Sequence, residues 1–280
     1  MNVDSEEDDL MTLCVAWKRG DRLHFASDSR LTLSTNSYAD VGIKVLSVPY
    51  RIFSATDQSG NRTLDFEGEL GMCFAGSAIN SLLLKETVVE LLRDIQYAAG
   101  YSDTSMDGLA AFVFKAYKLI SQNICATTMR ERGRAEILLS GHCSRMNSLR
   151  SFLLTTDNMN HHSFSEVLVD DGHEFLGSGK SKARNLLPIA PTDRDFFEVL
   201  RKVINDDSVP GVGGNIQYGT FEGKLFRIFG IVELAEGVHY WRGGIDLNSQ
   251  NFMGTHDALV PAYKYIDPFQ AFLATDNDAD

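Results

Sequence analysis

Residues 11–30, MTLCVAWKRGDRLHFASDSR, consist of two apolar segments separated by a short polar one. Both apolar segments are rich in residues that favour strands, and a glycine lies between them, which predicts a β-hairpin. With the turn at Arg19-Gly20, Thr12 faces Ser27, and Asp28 lies next to that pair. The hairpin therefore brings a hydroxyl group and a carboxylate to the same end of two paired strands.

The rest of the chain predicts strands and helices in consecutive groups. Two strands follow the hairpin, then two long helices whose apolar residues recur at i, i+3, i+4 and i+7, then strands, two helices and final strands. Helices that arrive in pairs argue against alternating βαβ winding. The order predicts an α+β fold in which two antiparallel sheets pack face to face, each covered by a helix pair. The predicted strands are 12–18, 43–54, 69–75, 135–141, 150–156, 165–176, 215–220, 224–233 and 238–246, and the helices are 77–98, 106–128 and two beginning near 179 and 193.

Composition narrows the class of protein. A chain of 280 residues with 44% hydrophobic residues is long and apolar enough to bury the core of one large domain. The net charge of −12 is concentrated at the ends, with five acidic residues in the first eleven and three in the last five. The sequence contains no basic patch of the kind that binds nucleic acid, so we do not expect a nucleic-acid partner. It also contains no apolar segment long enough to span a membrane. The acidic start differs from a signal peptide, so we expect a cytoplasmic protein.

A threonine, an aspartate and a lysine are the first candidate catalytic residues. A threonine hydroxyl is a weak nucleophile until a base accepts its proton. When threonine is the first residue, its own α-amine can be that base, because the reference pKa of an α-amine is about 7.7–8.0. A neighbouring lysine would lower the pKa of the amine further, and an aspartate would orient that lysine. Thr12, Lys44 and Asp28 have the residue types for these three roles.

The hairpin with Lys44 after it resembles the first hairpin of the proteasome β-subunit superfamily, whose N-terminal threonine is the nucleophile, and the bacterial proteasome-like branch in particular. The resemblance covers roughly residues 12–246 and implies a four-layer αββα sandwich. It divides the chain into an acidic leader at 1–11, a hydrolase domain at 12–246 and a C-terminal extension at 247–280. Self-processing members carry glycine before the threonine, whereas this chain has Met11. Some bacterial members begin directly with Met-Thr and lose only the methionine.

Three later segments extend the resemblance. Phe74-Ala75-Gly76-Ser77 resembles the turn whose glycine amide forms the oxyanion hole, which assigns that role to Gly76. Phe175-Leu176-Gly177-Ser178-Gly179 resembles the turn whose serine supports the threonine amine, and a plain helix N-cap is the alternative for Ser178. The segment 206–214 resembles the one that contributes a second aspartate. Its Val212 breaks the usual spacing, so either Asp206 or Asp207 could match; we assign Asp207.

The resemblance also implies a pocket for the substrate side chain before the cleaved bond. Its positions correspond to Leu31, Gly42, Leu46 and Phe74. The walls are apolar and Phe74 is large, so we expect modest apolar side chains to fit and charged ones to be rejected.

The leading hypothesis is thus a threonine endopeptidase that cleaves peptides or unfolded proteins inside a homo-oligomeric ring, with an unfoldase partner left unidentified. No cofactor or metal is implied, and His161-His162 has no ligand partners at metal spacing. A non-catalytic ring or scaffold subunit of the same fold, and an amidase acting on a small molecule, remain open. Cys14 is a rival nucleophile, but its place inside a strand favours a buried core role.

Overall fold

The computed structural model describes residues 11–34, 37–102, 105–234, 237–249 and 264–272. Within these ranges the chain folds into strands and helices of an α+β protein. The strands are β1 (Cys14–Arg19), β2 (Arg22–Ser27), β3 (Leu31–Ser34), β4 (Ser37–Ala39), β5 (Val45–Phe53), β6 (Leu64–Gly76), β7 (Ile95–Gln96), β8 (Ala135–Cys143), β9 (Ser148–Thr156), β10 (His162–Val167), β11 (Gly172–Leu176), β12 (Gln217–Glu222), β13 (Leu225–Leu234), β14 (Val238–Arg242), β15 (Ile245–Asp246) and β16 (Tyr265–Ile266). The helices are α1 (Ala78–Leu92), α2 (Met106–Ile124), α3 (Lys180–Leu186), α4 (Asp193–Ile204) and α5 (Pro268–Ala271).

The described strands form two large sheets and one small one. The first sheet has the order β11-β1-β2-β12-β13-β14-β15, and β16 pairs in parallel with β13. The second has the order β10-β9-β8-β6-β5-β7, and β3 pairs with β4 separately. The predicted hairpin β1–β2 therefore lies inside the first sheet, between β11 and β12.

Three apolar clusters hold these elements together. One packs α1 and α2 against the second sheet through residues such as Leu84, Tyr117 and Phe152. Another consists of side chains from both sheets, and a third packs α3 and α4 against the first sheet. Burial of apolar surface contributes about 25 cal/mol per Å². Because alternate residues of a strand face opposite sides, both faces are buried in β1 and in residues 70–75 of β6, where the sequence is almost entirely apolar.

The predicted register of the first hairpin is wrong by two residues. Cys14 pairs with Ser27 and Arg19 pairs with Arg22, so the two turn residues are Gly20 and Asp21. Gly20 adopts a φ of +53°, a left-handed value that glycine reaches at no steric cost, and this favours the turn at this position. A shift of two residues keeps every side chain on its face of the sheet, so the apolar pattern could not distinguish the two registers.

Other differences from the prediction arise where the chain contacts distant segments. Helix α1 ends at Leu92 because the chain turns so that Ile95 pairs in parallel with Ile52 of β5. The predicted strand 165–176 is two strands, β10 and β11, joined by a turn. The strands β3, β4 and β16 were not predicted. The helix α4 begins at a capping box, in which the Thr192 and Asp195 side chains each accept from the other residue's backbone N–H.

Part of the proposed C-terminal extension packs onto the domain. β16 adds to β13, and Phe269 and Phe272 of the following segment contact the cluster beneath α4. The ring of Phe272 stacks on Phe197 at a centroid distance of 5.4 Å. The acidic leader up to residue 10 and residues 250–263 and 273–280 lie outside the described residues.

Candidate active site

Thr12, Asp28 and Lys44 meet in the interior of the protein, between the start of β1, the end of β2 and the start of β5. The Lys44 Nζ lies 2.7 Å from Thr12 Oγ1 and 2.8 Å from Asp28 Oδ1. Thr12 is 2% exposed, and Lys44 and Asp28 are fully buried. A buried ammonium group is tolerated only where it is paired and hydrogen-bonded, and here the carboxylate and the hydroxyl provide both.

The Asp28 carboxylate organises this end of both sheets. Its Oδ1 accepts from the backbone N–H of Leu13 at 3.0 Å as well as from Lys44. Its Oδ2 accepts from the N–H of Arg30 and of Gly213, both at 3.1 Å. One side chain thus joins the first strand, the chain after β2, the lysine and the Gly213-Gly214 segment. Hydrogen bonds to an ionised group are stronger than neutral ones, so the carboxylate fixes the direction of the lysine.

The Thr12 backbone is strained. Its φ is +149°, a value that a β-branched residue rarely adopts. Residue 11 precedes it in the structure, so the Thr12 nitrogen is a peptide amide and φ is defined by the carbonyl of Met11. The Met11 side chain packs against Gly211, where a Cβ would lie 2.9 Å from Met11 Cβ. Removing Met11 would release this torsional strain, because the torsion φ no longer exists for a first residue.

The Gly177-Ser178-Gly179 turn lies directly against the threonine. The N–H of Gly179 donates to the Thr12 carbonyl at 3.2 Å, and the N–H of Gly177 donates to Glu136 Oε2 at 3.1 Å. Ser178 is half-buried, and its hydroxyl makes no hydrogen bond to the other residues that the structure describes. The N-cap of α3 is Gly179, so the alternative interpretation of Ser178 as an N-cap is not what the structure contains.

Gly177→Ala should disrupt the site. Gly177 has a φ of +89°, and a Cβ there would lie 2.2 Å from the Thr12 carbonyl oxygen. Backbone strain at such a position costs about 1–3 kcal/mol, and the clash adds to it. We expect urea denaturation to show a loss of at least about 2 kcal/mol in the free energy of unfolding. Gly172→Ala is the matched control, since its Cβ meets nothing within 4 Å. Equal stability of the two variants would contradict this account.

Gly76, the predicted oxyanion donor, lies at the turn from β6 to α1. It ends β6 with a φ of +89°, and Ser77 caps α1 through its side chain. The N–H of Ser77 donates to the Arg134 carbonyl of the neighbouring chain segment at 2.8 Å. Since N–H directions alternate along an antiparallel pair, the Gly76 N–H points away from β8, toward the side of β5. β5 begins only at Val45, opposite Cys73, so it does not extend past Gly76.

The second aspartate is not part of the hydrogen-bonded trio. Asp207 and Ser208 are exposed, and Asp206 pairs with Lys182 Nζ at 2.7 Å. This pairing with Lys182, together with the Ser208 N–H, holds the pKa of Asp206 well below its usual value. Among the described residues no hydrogen bond joins Asp206 or Asp207 to Thr12, Asp28 or Lys44. The segment contacts the site instead through Gly213, further along the chain.

The four predicted pocket residues fall into two pairs. Gly42 lies against Leu31, because a Cβ on Gly42 would be 2.6 Å from the Leu31 side chain. Leu46 and Phe74 belong to the cluster beneath α1 and α2, with exposures of 7% and 0%. Phe74 is therefore part of the apolar core.

Two residues that position the site were missed by the sequence analysis. Arg30 binds both carboxylate oxygens of Asp40, at 2.7 and 3.0 Å, and this contact raises the pKa of its guanidinium. Asn215 accepts from the Ser29 hydroxyl at 2.8 Å and donates to the Gly243 carbonyl at 2.7 Å. Arg30 and Asn215 thus fix the residues that directly follow Asp28. Neither belongs to a motif used in the prediction, so only their contacts identify them.

Other candidate groups contribute no second centre. Cys14 is fully buried, and its thiol donates to the Phe74 carbonyl at 2.8 Å, in agreement with the predicted core role. In the part of the chain that the structure describes, His, Cys, Asp and Glu side chains form no group of three suited to hold a metal ion. None of the described helices combines the length and apolar character that crossing a bilayer requires.

The structure is similar to solved structures of Anbu proteins. Anbu (ancestral beta-subunit) from Yersinia bercovieri superposes with a TM-score of 0.51 and 17% identity, covering 75% of this chain and 82% of that one. The helical assembly of the Anbu complex from Pseudomonas aeruginosa gives 0.52 and 16%, covering 86% and 89%. Anbu from Hyphomicrobium sp. strain MC1 gives 0.52 and 14%, covering 86% and 90%. No protein-family model and no curated protein matches the sequence.

At these identities the similarity establishes the fold and nothing further. The chain shares the fold of these Anbu (ancestral beta-subunit) structures. Fold alone does not determine activity, which must be argued from the site.

Proposed function

We propose that this protein is a threonine-type peptidase of the bacterial proteasome-like class, with Thr12 as its nucleophile. The observation that carries the proposal is the contact of Lys44 Nζ with both Thr12 Oγ1 and Asp28 Oδ1, at 2.7 and 2.8 Å, in a buried site. A hydroxyl in contact with a paired ammonium group and carboxylate is the arrangement in which a free α-amine of Thr12 could act as the activating base. The three apolar clusters support the proposed four-layer αββα sandwich, which holds this contact between its two sheets.

The proposed reaction has two stages. The Thr12 Oγ bonds to the substrate carbonyl carbon while the free α-amine of Thr12 accepts the hydroxyl proton. The peptide C–N bond then breaks, and the proton passes to the leaving amine. Water hydrolyses the resulting ester and restores the hydroxyl. Lys44 favours the free-base form of the amine by like-charge repulsion, and the Gly76 N–H stabilises the oxyanion.

Release of residues 1–11 is part of the proposal, because the amine exists only when Thr12 is the first residue. The strained φ of Thr12 supports it, since loss of Met11 removes that strain. Ser178, half-buried in the turn beside Thr12, is proposed to contact the freed amine, and Asp207 to support that serine after a local movement. The intact mass of the protein purified from its own cells tests whether Thr12 comes first.

Activity-directed labelling tests the function itself. A peptide α′,β′-epoxyketone reacts with the hydroxyl and the amine of an N-terminal threonine together, so it should add one inhibitor mass to the Thr12-first chain. A chain that retains Met11 offers only the hydroxyl and should remain unmodified. A Thr12-first chain that neither reacts with the probe nor hydrolyses peptides would instead support the non-catalytic subunit.

Assembly is the proposed setting of this activity. The Pseudomonas aeruginosa Anbu complex is described as a helical assembly, and we propose that copies of this chain associate as well, in a ring or a helix. Exposed apolar residues on α1, close to Gly76, support it: Ile79 is 55% and Leu83 is 50% exposed. Exposed apolar side chains grouped on one helix are typical of protein contacts. An unfolded polypeptide is the proposed substrate.

The pocket gives a prediction about substrate choice. A fluorogenic peptide library should show cleavage after modest apolar residues, and charged residues before the cleaved bond should be disfavoured by about 10²-fold, since an unpaired charge in an apolar site costs several kcal/mol. Phe74→Leu should shift the preference toward larger apolar residues, because it opens the base of the cleft. Phe152→Leu, in the same cluster but on β9, is the control. A preference for Arg, Lys, Asp or Glu would refute the pocket assignment.

A further inference from the structure

Gln217 is a buried residue that no motif identifies and the proposed reaction does not use. It is the first residue of β12, pairs with Ser27 of β2, and is 4% exposed. Its side chain does not bind its own sheet. It reaches across to residues 42–45, which comprise the irregular segment before β5, with Lys44, and Val45, the first residue of that strand in the second sheet.

The side-chain amide of Gln217 binds this segment at three backbone groups. Its Oε1 accepts from the N–H of Lys44 at 2.9 Å and from the N–H of Val45 at 3.3 Å. Its Nε2 donates to the carbonyl of Gly42. A planar amide offers an acceptor and a donor side by side, so its orientation follows from its partners. Gln217 thus supplies residues 42–45 with the backbone hydrogen-bond partners that a neighbouring strand would otherwise supply.

The segment needs such a support because Lys44 must meet two groups at once. The lysine side chain has four flexible bonds, and its Nζ reaches both Thr12 Oγ1 and Asp28 Oδ1. Those two partners adjoin strands β1 and β2 of the first sheet, whereas Lys44 directly precedes β5 of the second. A backbone displacement of about 1 Å at Lys44 would lengthen both contacts, and misplacement of this size can cost about 10²-fold in rate.

We propose that Gln217 is a positioning residue, which fixes the Lys44 backbone so that Nζ contacts Thr12 and Asp28 together. This inference rests on the proposed function for its effect on rate. Its structural part, the anchoring of residues 42–45, can be measured without any activity.

Gln217→Met tests both parts. Methionine has a similar length but cannot accept from two amides or donate to a carbonyl. Backbone hydrogen exchange should become faster at Lys44 and Val45, and kcat of the Thr12-first enzyme should fall by about 10²-fold with KM changed by less than about threefold. Thr220→Val is the matched control on the same strand: it removes a hydrogen bond to the Leu23 carbonyl and should leave both quantities unchanged.

Gln217→Glu is a second variant that preserves the shape of the side chain. When protonated, a carboxylic acid offers the same acceptor and donor as the amide, whereas the carboxylate faces the Gly42 carbonyl with a second acceptor. The ratio of variant to wild-type kcat should therefore rise as the pH is lowered, since the carboxyl pKa is expected to rise on burial. A residue that only stabilised the fold would give a ratio independent of pH.

The outcomes separate this inference from the proposed function. Unchanged exchange at Lys44 and Val45 in Gln217→Met overturns the inference, as does an undiminished kcat in that variant. Faster exchange in a protein whose wild type does not hydrolyse peptides overturns the proposed function but retains the anchoring role.

Discussion

A chain that begins at Thr12 is expected to hydrolyse peptides at least about 10³-fold faster than one that retains Met11, because only the former has a free α-amine as general base. In the structure the Thr12 nitrogen is an amide, although Lys44 Nζ already lies 2.7 Å from the hydroxyl. The proposed nucleophile, the lysine and the aspartate are thus in contact while the proposed base is still an amide. Cleavage of a removable fusion partner directly before Thr12 would supply the active form, and fluorogenic peptides would measure its rate.

Two variants control this experiment. Thr12→Ala, also produced with residue 12 first, should abolish turnover, because it has the amine but no hydroxyl. Thr12→Ser keeps the hydroxyl and should retain measurable activity. A Met11→Arg chain whose intact mass shows that residue 11 remains provides the blocked form. Equal rates for the blocked and free forms would rule out the amine as the base, and full activity of Thr12→Ala would refute the assignment of the nucleophile.

Lys44→Ala and Asp28→Asn are each expected to reduce the rate by about 10²-fold or more, because they remove members of one hydrogen-bonded unit. The losses should be strongly non-additive, so the double variant should be little slower than either single one. Kinetics of the three variants on the same peptide would measure this coupling. Additive losses would indicate that the two residues act independently.

The same variants should show a matching pattern in stability. Lys44→Ala leaves a fully buried carboxylate without its cation, and breaking a buried pair in this way costs about 3–5 kcal/mol. Asp28→Asn leaves the ammonium unpaired and turns an amide NH₂ toward backbone N–H donors. Removing both charges should therefore cost less than the sum of the single losses in the free energy of unfolding, measured by urea denaturation. Thr220→Val, outside this unit, is again the control.

The opening hairpin shows which parts of the structure could be predicted from the sequence and which could not. Its two apolar strands and central glycine predicted the pairing of β1 with β2, and the order of the later elements predicted an α+β fold. The predicted register was wrong, because a shift of two residues changes no side chain's face. In the structure two hydrogen bonds to Leu13 hold Asp28 beside Thr12. The Asp28 carboxylate accepts from the Leu13 N–H, and the Asp28 N–H donates to the Leu13 carbonyl.

The sequence by itself determined the local features. Apolar periodicity predicted α1, α2 and α4, and the residue types of Thr12, Asp28 and Lys44 indicated the chemistry that their contact supports. The helices could be predicted because their apolar period lies in residues close together in the chain. The candidate catalytic residues could be predicted because they occur in a recognisable motif.

Only the tertiary structure decided which distant groups complete the site. Gln217 lies far along the chain from the lysine it holds, and Asn215 is equally far from Ser29. The tertiary structure also placed Gly213, rather than Asp207, against Asp28. The physical reason is that hydrogen bonds between two sheets depend on how the sheets pack. A buried polar side chain must satisfy whichever backbone groups that packing brings to it, and no local pattern in the sequence records them.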